Sequence, residues 1–225
     1  MHQKLSIIIP ALNEAQLIED TLKPLQPLRQ EGVEIILCDG GSRDNTTQLA
    51  EPLVDIVWLC DPGRARQMNA GAMIASGDYL LFLHADTQLP DDFLECWQSI
   101  QKHQPLWGFF KVRLSGSEAL LKMVTFFINL RSRLTSVATG DQCIYVQRTL
   151  FDQLGGYRDI PLMEDVELTT RLRQQKRARL VEPPVLTSSR RWERDGVWRT
   201  VWLMWRLRWR FFRGADPGEL VKQYY

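Results

Sequence analysis

Nine consecutive residues, Asp78-Tyr79-Leu80-Leu81-Phe82-Leu83-His84-Ala85-Asp86, constrain the fold of this chain more than any other stretch. Residues 80–83 are continuously apolar, with Gly77-Asp78 before them and Thr87-Gln88 after. An apolar run of that length between polar boundaries reads as a strand covered on both faces, as in a parallel sheet. Ligands of open α/β sheets settle beyond the carboxyl ends of the strands. His84 and Asp86, one residue apart just past such an end, can therefore face one side and share one cation.

The flanking segments repeat the pattern. Residues 5–9 form a β-branched strand that Pro10 is expected to end, and helical periodicity follows from Ala15 to Pro24. Residues 33–38 make strand two, Asp39-Gly40-Gly41-Ser42 a tight polar turn, and Asp44 or Asn45 caps a helix to about Ala50. Strand three covers 54–59. Gly63 then opens a helix whose Ala65, Met68, Ala72 and Ala75 let it lie close on the sheet. Strands alternating with helices predict an α/β fold with a mostly parallel sheet and helices on both faces. Further on, helices are expected at 90–102, 118–137 and 149–154, and strands at 107–114 and 142–147, with a turn at Gly155-Gly156-Tyr157. Residues 1–190 are expected to form the main domain and 191–225 a helical appendage.

Composition narrows the setting. With 225 residues, 44% hydrophobic and 24% charged, the chain has ordinary globular content. Residues 1–9 hold too short an apolar run for a signal peptide and no stretch reaches a membrane span, so a cytoplasmic location is expected. Cys38, Cys60, Cys96 and Cys143 are dispersed and read as buried thiols. Charge is unevenly placed: residues 188–213 carry eight Arg against Glu193 and Asp195, a local +6, which leaves −5 for the remainder of a chain of net charge +1. That imbalance suits a local anionic partner and does not suit nucleic acid binding along the surface.

In the same segment Trp198, Trp202, Trp205, Trp209 and Phe212 recur at helical spacing, with Arg199, Arg206, Arg210 and Arg213 beside them. Such a stripe either lies at a membrane interface or subunit contact, or packs on the main domain with its arginines in water. The first alternative would put the protein at the inner face of the membrane.

Polar groups gather at the predicted strand ends: Asn13-Glu14 after strand one, Asp39 after strand two, His84 and Asp86 after strand four. Taken singly, each is a capping or solvated loop residue; together they can receive a nucleotide, Asp39 accepting from a base imide or ribose hydroxyl and a cation at Asp86 neutralising a diphosphate. In order along the chain, Ile7-Ile8-Ile9-Pro10-Ala11-Leu12-Asn13-Glu14, Asp39-Gly40-Gly41-Ser42-Arg43-Asp44-Asn45-Thr46, Gly63 with Asn69-Ala70-Gly71, and Leu81-Phe82-Leu83-His84-Ala85-Asp86 resemble the signatures of glycosyltransferase family 2. The resemblance is dense over the first 90 residues and sparser as far as Arg191-Trp192. It also touches a bacterial subgroup associated with arsenosugar biosynthesis.

The resemblance implies a GT-A fold, a nucleotide-diphosphate sugar donor such as a UDP-sugar, a hydroxyl acceptor, inversion, and a divalent metal, Mn²⁺ or Mg²⁺. Its nucleotide-binding positions fall on Pro10, Ala11, Asn13, Glu14, Asp39, Gly41, Asn69 and Asp86, and its metal-binding acid pair on His84 and Asp86, where the first acid has become a histidine. His84 is either a ligand or a satisfied polar group at a strand end. Gly140, Asp141, Gln142, Arg191 and Trp192 match the acceptor and diphosphate side, with Ser188 where the family's closing motif has Gln. Of the pair Glu164-Asp165, a helix begun near Met163 puts Asp165 on the face of Leu168 and Leu172 and Glu164 on a polar face with Glu167 and Arg171. The family's general base then matches Asp165, with Glu164 beside it; carboxylates in a first helical turn are also favoured by the helix dipole alone. Two other functions fit parts of the pattern: a nucleotidyltransferase making sugar nucleotides, which would want a Gly- and Lys-containing phosphate loop that 11–14 lacks, and a catalytically silent membrane-surface binding module.

Overall fold

A computed structural model describes residues 3–224; the outermost residues of the two predicted segments, 1–2 and 225, lie outside the described residues. Its centre is an eight-stranded sheet in the order β3-β2-β1-β4-β7-β6-β8-β5, with β1 Leu5–Ala11, β2 Glu34–Asp39, β3 Ile56–Leu59, β4 Tyr79–Phe82, β5 Thr87–Gln88, β6 Trp107–Leu114, β7 Ile144–Gln147 and β8 Arg179–Thr187. The β3-β2-β1-β4 half is parallel. Beyond β4 the direction changes: β7 pairs antiparallel with both β4 and β6, β6 with β8 is parallel, and β5 closes antiparallel on β8.

Alternation along the strands divides the core between the two faces. Ile7, Ile9, Ile35, Leu37 and Leu81 join one wholly buried cluster with Phe93, Trp97 and Ile100 of α5 (Phe93–His103). Ile8, Ile36, Leu80 and Phe82 join the other, with Ala65, Met68 and Ala72 of α4 (Arg64–Ile74) and Leu168 and Leu172 of α8 (Glu164–Gln175). The small residues of α4 allow the close approach that their spacing predicts. At Gly71 the fit is tightest, since a Cβ there would meet Ile8 Cγ2 at 2.5 Å and Cys38 Sγ at 2.7 Å.

Several boundaries differ from those expected. β1 runs through Pro10 to Ala11 instead of stopping before the proline. Its pairing with β4 ends at Ile8↔Phe82, so Pro10 faces a partner only in β2 and its missing N–H leaves no gap in the ladder. The helix expected at 15–24 is broken into α1 (Ile18–Leu22), a 3₁₀ turn with Pro24, and α2 (Gln26–Gln30). The helices at 46–50, 119–135 and 148–153, α3, α6 and α7, fall where periodicity places them. β8 was not foreseen, because Pro183-Pro184 interrupts its pattern; a shift in register between Phe110↔Val181 and Val112↔Val185 takes up the prolines. Cys38 and Cys143 are buried as expected, whereas Cys60 and Cys96 are partly exposed.

The chain after β8 is helical: α9 Arg190–Asp195, α10 Val197–Phe212 and α11 Pro217–Tyr224. Leu207 and Leu220 are wholly buried in a cluster with Val137, Leu162, Met163 and Val166, which seats α10 and α11 on the main body. The aromatic stripe takes no part in that seating: Trp198, Trp202, Trp205, Trp209 and Phe212 are 54–74% exposed. The alternative in which the stripe packs on the main domain is thus contradicted, and the reason is rotational, since Thr200 and Leu207 occupy the opposite side of the helix.

Gly71→Ala is expected to destabilise the protein by about 1–3 kcal/mol through overpacking between α4 and the β1–β2 pair. Chemical denaturation measures it, and an unchanged midpoint would refute the close-approach account.

Candidate functional site

Beyond the carboxyl ends of β1 and β4 lies a cavity of about 610 Å³, lined by Asn13, Glu14, Arg64, His84, Asp86, Asp141, Thr187, Ser188, Arg190, Arg191, Trp192, Arg194 and Tyr224. Four arginines thus meet four acidic or imidazole side chains on one rim. Its size falls within the range of small-molecule sites.

The β4 side is built around His84. Its ring is buried and Nδ1 stands 3.4 Å from Asp141 Oδ1. On its other edge lies Gly140, where a Cβ would come within 2.2 Å of His84 Nε2. Only glycine admits the ring in that position. Burial opposes the charged imidazole, but the Asp141 carboxylate outweighs it and raises the His84 pKa. Asp141 is lowered in turn: burial works the other way, and the His84 contact prevails. Nδ1 is turned to Asp141 and Nε2 lies beside Gly140, so His84 has the partners of the satisfied-group alternative while its side chain also lines the cavity with Asp86. Asp86 lines the cavity with Glu14 and Asp141, its Oδ2 3.9 Å from Arg190, which is equally far from Glu14 Oε2. Partial burial and the neighbouring Asp86 charge raise Glu14.

The β1–β2 side is a set of interlocked turns. Asp39 is 1% exposed and its Oδ2 accepts from the N–H groups of Gly41 and Ser42 at 2.9 and 2.8 Å, while Oδ1 accepts from the Ser42 hydroxyl. Gly41 adopts φ +88°, a conformation that glycine enters without strain. Asn13, itself at φ +55°, donates its N–H to Ser42 Oγ and accepts from the Arg43 N–H, both at 2.8 Å. Glu14 N–H donates to Thr46 Oγ1. This network places Asn13 and Glu14 at the cavity mouth; Pro10 and Ala11 are buried behind them.

Two expected site residues have their amide groups engaged within the protein. Asn69 clamps the turn after α7, its Nδ2 donating to Tyr157 O at 2.8 Å and its Oδ1 accepting from Tyr157 N–H at 2.9 Å. Gln142 is wholly buried, with Oε1 accepting from the Ser132 hydroxyl at 2.7 Å. Neither lines the cavity, because each spends its amide on backbone or core partners that the sequence does not reveal.

Glu164 and Asp165 open α8. Asp165 Oδ2 accepts from Gly140 N–H at 2.7 Å and Oδ1 from Val166 N–H at 2.6 Å, which joins α8 to the glycine that seats His84. Glu164 is the more deeply buried of the two, at 5% exposure, while Asp165 is half-buried. The polar face assigned to Glu164 is real, but Glu167 is buried there and pairs with the mostly buried Arg171 and with Arg158, which reaches in from an exposed position. Burial and the adjacent Asp165 charge push Glu164 up to about 7, and burial raises Asp165 as well. Arg131 of α6 approaches from the other side: burial lowers its pKa, while Asp165 and Asp141 support its charge. Its Nε and Nη1 are buried and make no hydrogen bond.

Arg64, Arg131, Arg190, Arg194 and Tyr224 were not singled out from the sequence. Arg64 follows the loop glycine at the start of α4, a position where a cation at a strand-to-helix junction could have been read; Arg190 and Arg194 fall within the Arg-rich segment 188–213 read as suiting an anionic partner, and Arg131 and Tyr224 gave no local signal.

A curled mixed sheet with its parallel half carrying the cavity, flanked by helices and closed by β7, β6 and β8, is the GT-A architecture of nucleotide-sugar glycosyltransferases. The model of glycosyl transferase family 2 matches residues 6–140, and the chain belongs to that family. It is 33% identical over 110 residues to the poly-β-1,6-N-acetyl-D-glucosamine synthase of Staphylococcus aureus, covering 46% of this chain and 27% of that protein. To an uncharacterized glycosyltransferase of Mycobacterium tuberculosis it is 30% identical over 179 residues, 74% of this chain and 67% of the relative. Among solved structures, Staphylococcus aureus TarS in complex with UDP-GlcNAc superposes with a TM-score of 0.67 at 17% identity, covering 82% of this chain and 58% of that one. The mannosyltransferase PcManGT of Pyrobaculum calidifontis with GDP-Man and Mn²⁺ gives 0.62 at 20% identity, covering 84% and 57%. These likenesses carry the fold and the family, and not the arsenosugar-associated subgroup.

The Glu164 setting has a direct consequence for stability. A carboxyl group raised in the folded state keeps its full contribution below the unfolded value of 4.5 and loses it as pH rises through about 7, because the unfolded chain releases the proton first. Between those limits the melting temperature of Glu164→Gln is expected to fall less steeply with pH than that of the wild type. Parallel profiles would show that the buried carboxyl is not the source.

Proposed function

We propose that the protein transfers a sugar from a nucleotide-diphosphate donor, a UDP-sugar, to an acceptor hydroxyl with inversion. The observation that carries this is the cavity itself: in a family 2 chain, Asp86 and Glu14 stand at the strand ends opposite Arg64, Arg190, Arg191 and Arg194. That TarS and PcManGT were solved with nucleotide sugars supports the donor class.

The residues divide the work as follows. Asp39 has three donors on its carboxylate, and since a carboxylate offers about four acceptor sites, one is left for a uridine imide or ribose hydroxyl. Asn13 and Glu14 border the nucleotide, with Gly41 shaping the loop. The guanidinium groups of Arg190 and Arg191 offset the charge that grows on the diphosphate as it leaves, and Trp192 offers a face for a sugar ring. Asp141 and Gly140 form the acceptor-side wall.

Asp165 is the base in this proposal. Backbone N–H groups from Gly140 and Val166 fix both its oxygens in place, and each retains a lone pair for the acceptor hydroxyl proton. Burial holds its pKa above the usual carboxylate value, toward the range where a base works at neutral pH. Glu164 lies behind it and resists ionising while Asp165 is charged.

Asp86, a carboxylate at the end of β4 that lines the cavity, is the residue that would hold a divalent cation, Mn²⁺ or Mg²⁺, and such a cation would supply neutralisation of the diphosphate charge. The exposed aromatic stripe of α10 supplies a peripheral contact, at the cytoplasmic face of a membrane or with another subunit.

Calorimetric titration with UDP in the presence and absence of Mn²⁺ tests the site. Asp86→Ala is expected to abolish the dependence of UDP affinity on metal, His84→Asn to preserve it, and Asp39→Ala to weaken UDP about tenfold or more through a lost charged hydrogen bond. Equal metal coupling in wild type and Asp86→Ala would exclude the cation assignment. Asp165→Asn should retain donor affinity while losing roughly two to four orders of magnitude in transfer rate; a fully active variant would remove Asp165 from the base role.

A further inference from the structure

α10 is not the only helix to turn apolar side chains to water. On α6 (Ala119–Thr135) Met123, Phe126, Phe127, Leu130 and Leu134 are 38–69% exposed, and their spacing of three, four, seven and eleven residues from Met123 puts all of them on one side. The opposite side of α6, through Leu121, Val124 and Ile128, packs with Val197 and Val201 of α10. Two helices distant in sequence thus pack against each other while each leaves an apolar stripe uncovered. Exposed apolar surface on this scale marks an interaction surface.

Charge selects the partner. Arg206 lies over the Trp202 ring at 5.0 Å and Arg213 over Trp209 at 4.8 Å, so the cations are fixed beside the indoles at the edge of the stripe. α10 holds no Asp or Glu, so a second copy docked stripe to stripe would offer these guanidinium groups no carboxylate from the facing helix, which disfavours self-association. An anionic bilayer would receive both groups, indoles at the headgroup level and guanidinium groups on phosphates. No helix among the described residues is long and apolar enough to cross a membrane, which leaves lying on the surface as the available mode.

We propose that α6 and α10 together form a membrane-docking face for anionic phospholipid. The inference rests on α10 as a docking element and extends it by assigning the second half of the surface to α6. α6 also carries Arg131, whose charge interacts with Asp165 and Asp141, so the helix that meets lipid is the one that borders the proposed base. An acceptor presented at the bilayer surface is the substrate class this arrangement serves.

Flotation of the full chain with vesicles of phosphatidylcholine containing phosphatidylglycerol, and with phosphatidylcholine alone, tests the proposal. The wild type is expected to float with the anionic vesicles and to be released by salt. Phe126→Gln with Phe127→Gln should lower the bound fraction about tenfold or more through lost apolar insertion, and Arg206→Gln and Arg210→Gln about fivefold each. All of these side chains are at least partly exposed, and unchanged thermal melts and UDP titrations would establish that the variants are folded. If the α6 variant floats like the wild type while Trp202→Gln with Trp209→Gln does not, the composite face is wrong and the α10 contact stands. If the wild type ignores both vesicles, or ignores them and runs as a dimer in light scattering, membrane docking is overturned altogether.

Discussion

The His84 ring rests on a residue that has no side chain. Gly140 leaves the space, its N–H is taken by Asp165, and its neighbour Asp141 takes His84 Nδ1. Through these contacts the end of β4, the loop before β7 and the first turn of α8 become one rigid corner. A Cβ at Gly140 would force the ring out and with it both carboxylates that depend on the loop. The rim of the cavity therefore depends on steric permission at one backbone position as much as on attraction between charges.

Electrostatics at that corner are arranged to keep charge from accumulating. Burial raises Glu14, Glu164 and Asp165, a neighbouring carboxylate raises each further, and Arg64 acts against the shift at Glu14 and Glu164 with Arg190 beside it at Glu14. In the low dielectric of a closed site such opposed groups interact far more strongly than at an open surface. A diphosphate entering among the arginines would meet sites partly balanced by acids already present, which favours binding that tightens as the leaving group gains charge.

The exposed stripes of α6 and α10 follow a different rule from the rest of the molecule. Elsewhere apolar faces find partners: the two sides of the sheet are filled, and α10 buries Leu207 and Thr200 on the body. The stripes are left over after those needs are met. An enzyme whose acceptor sits at a lipid surface has use for such a remainder, since docking replaces a three-dimensional search with a two-dimensional one.

Much of this was legible in the sequence. The buried strand at 79–82, the small-residue face of α4, the order of strand-end polar groups and the amphipathic α10 follow from local periodicity, because side-chain alternation and helical spacing are set by backbone geometry alone. Asp86, Glu14, Asp141, Arg191 and Trp192 do line one cavity. Tertiary structure alone decided the rest. That His84 stands against Asp141, that Asn69 bonds the Tyr157 backbone and Gln142 the Ser132 hydroxyl, and that Glu164 lies deeper than Asp165 depend on which groups from distant segments arrive alongside them. So does the outward turn of the Trp stripe, which periodicity defines as a face but cannot aim. A side chain's spacing is a property of its own helix or strand, whereas its partner is a property of the packed whole.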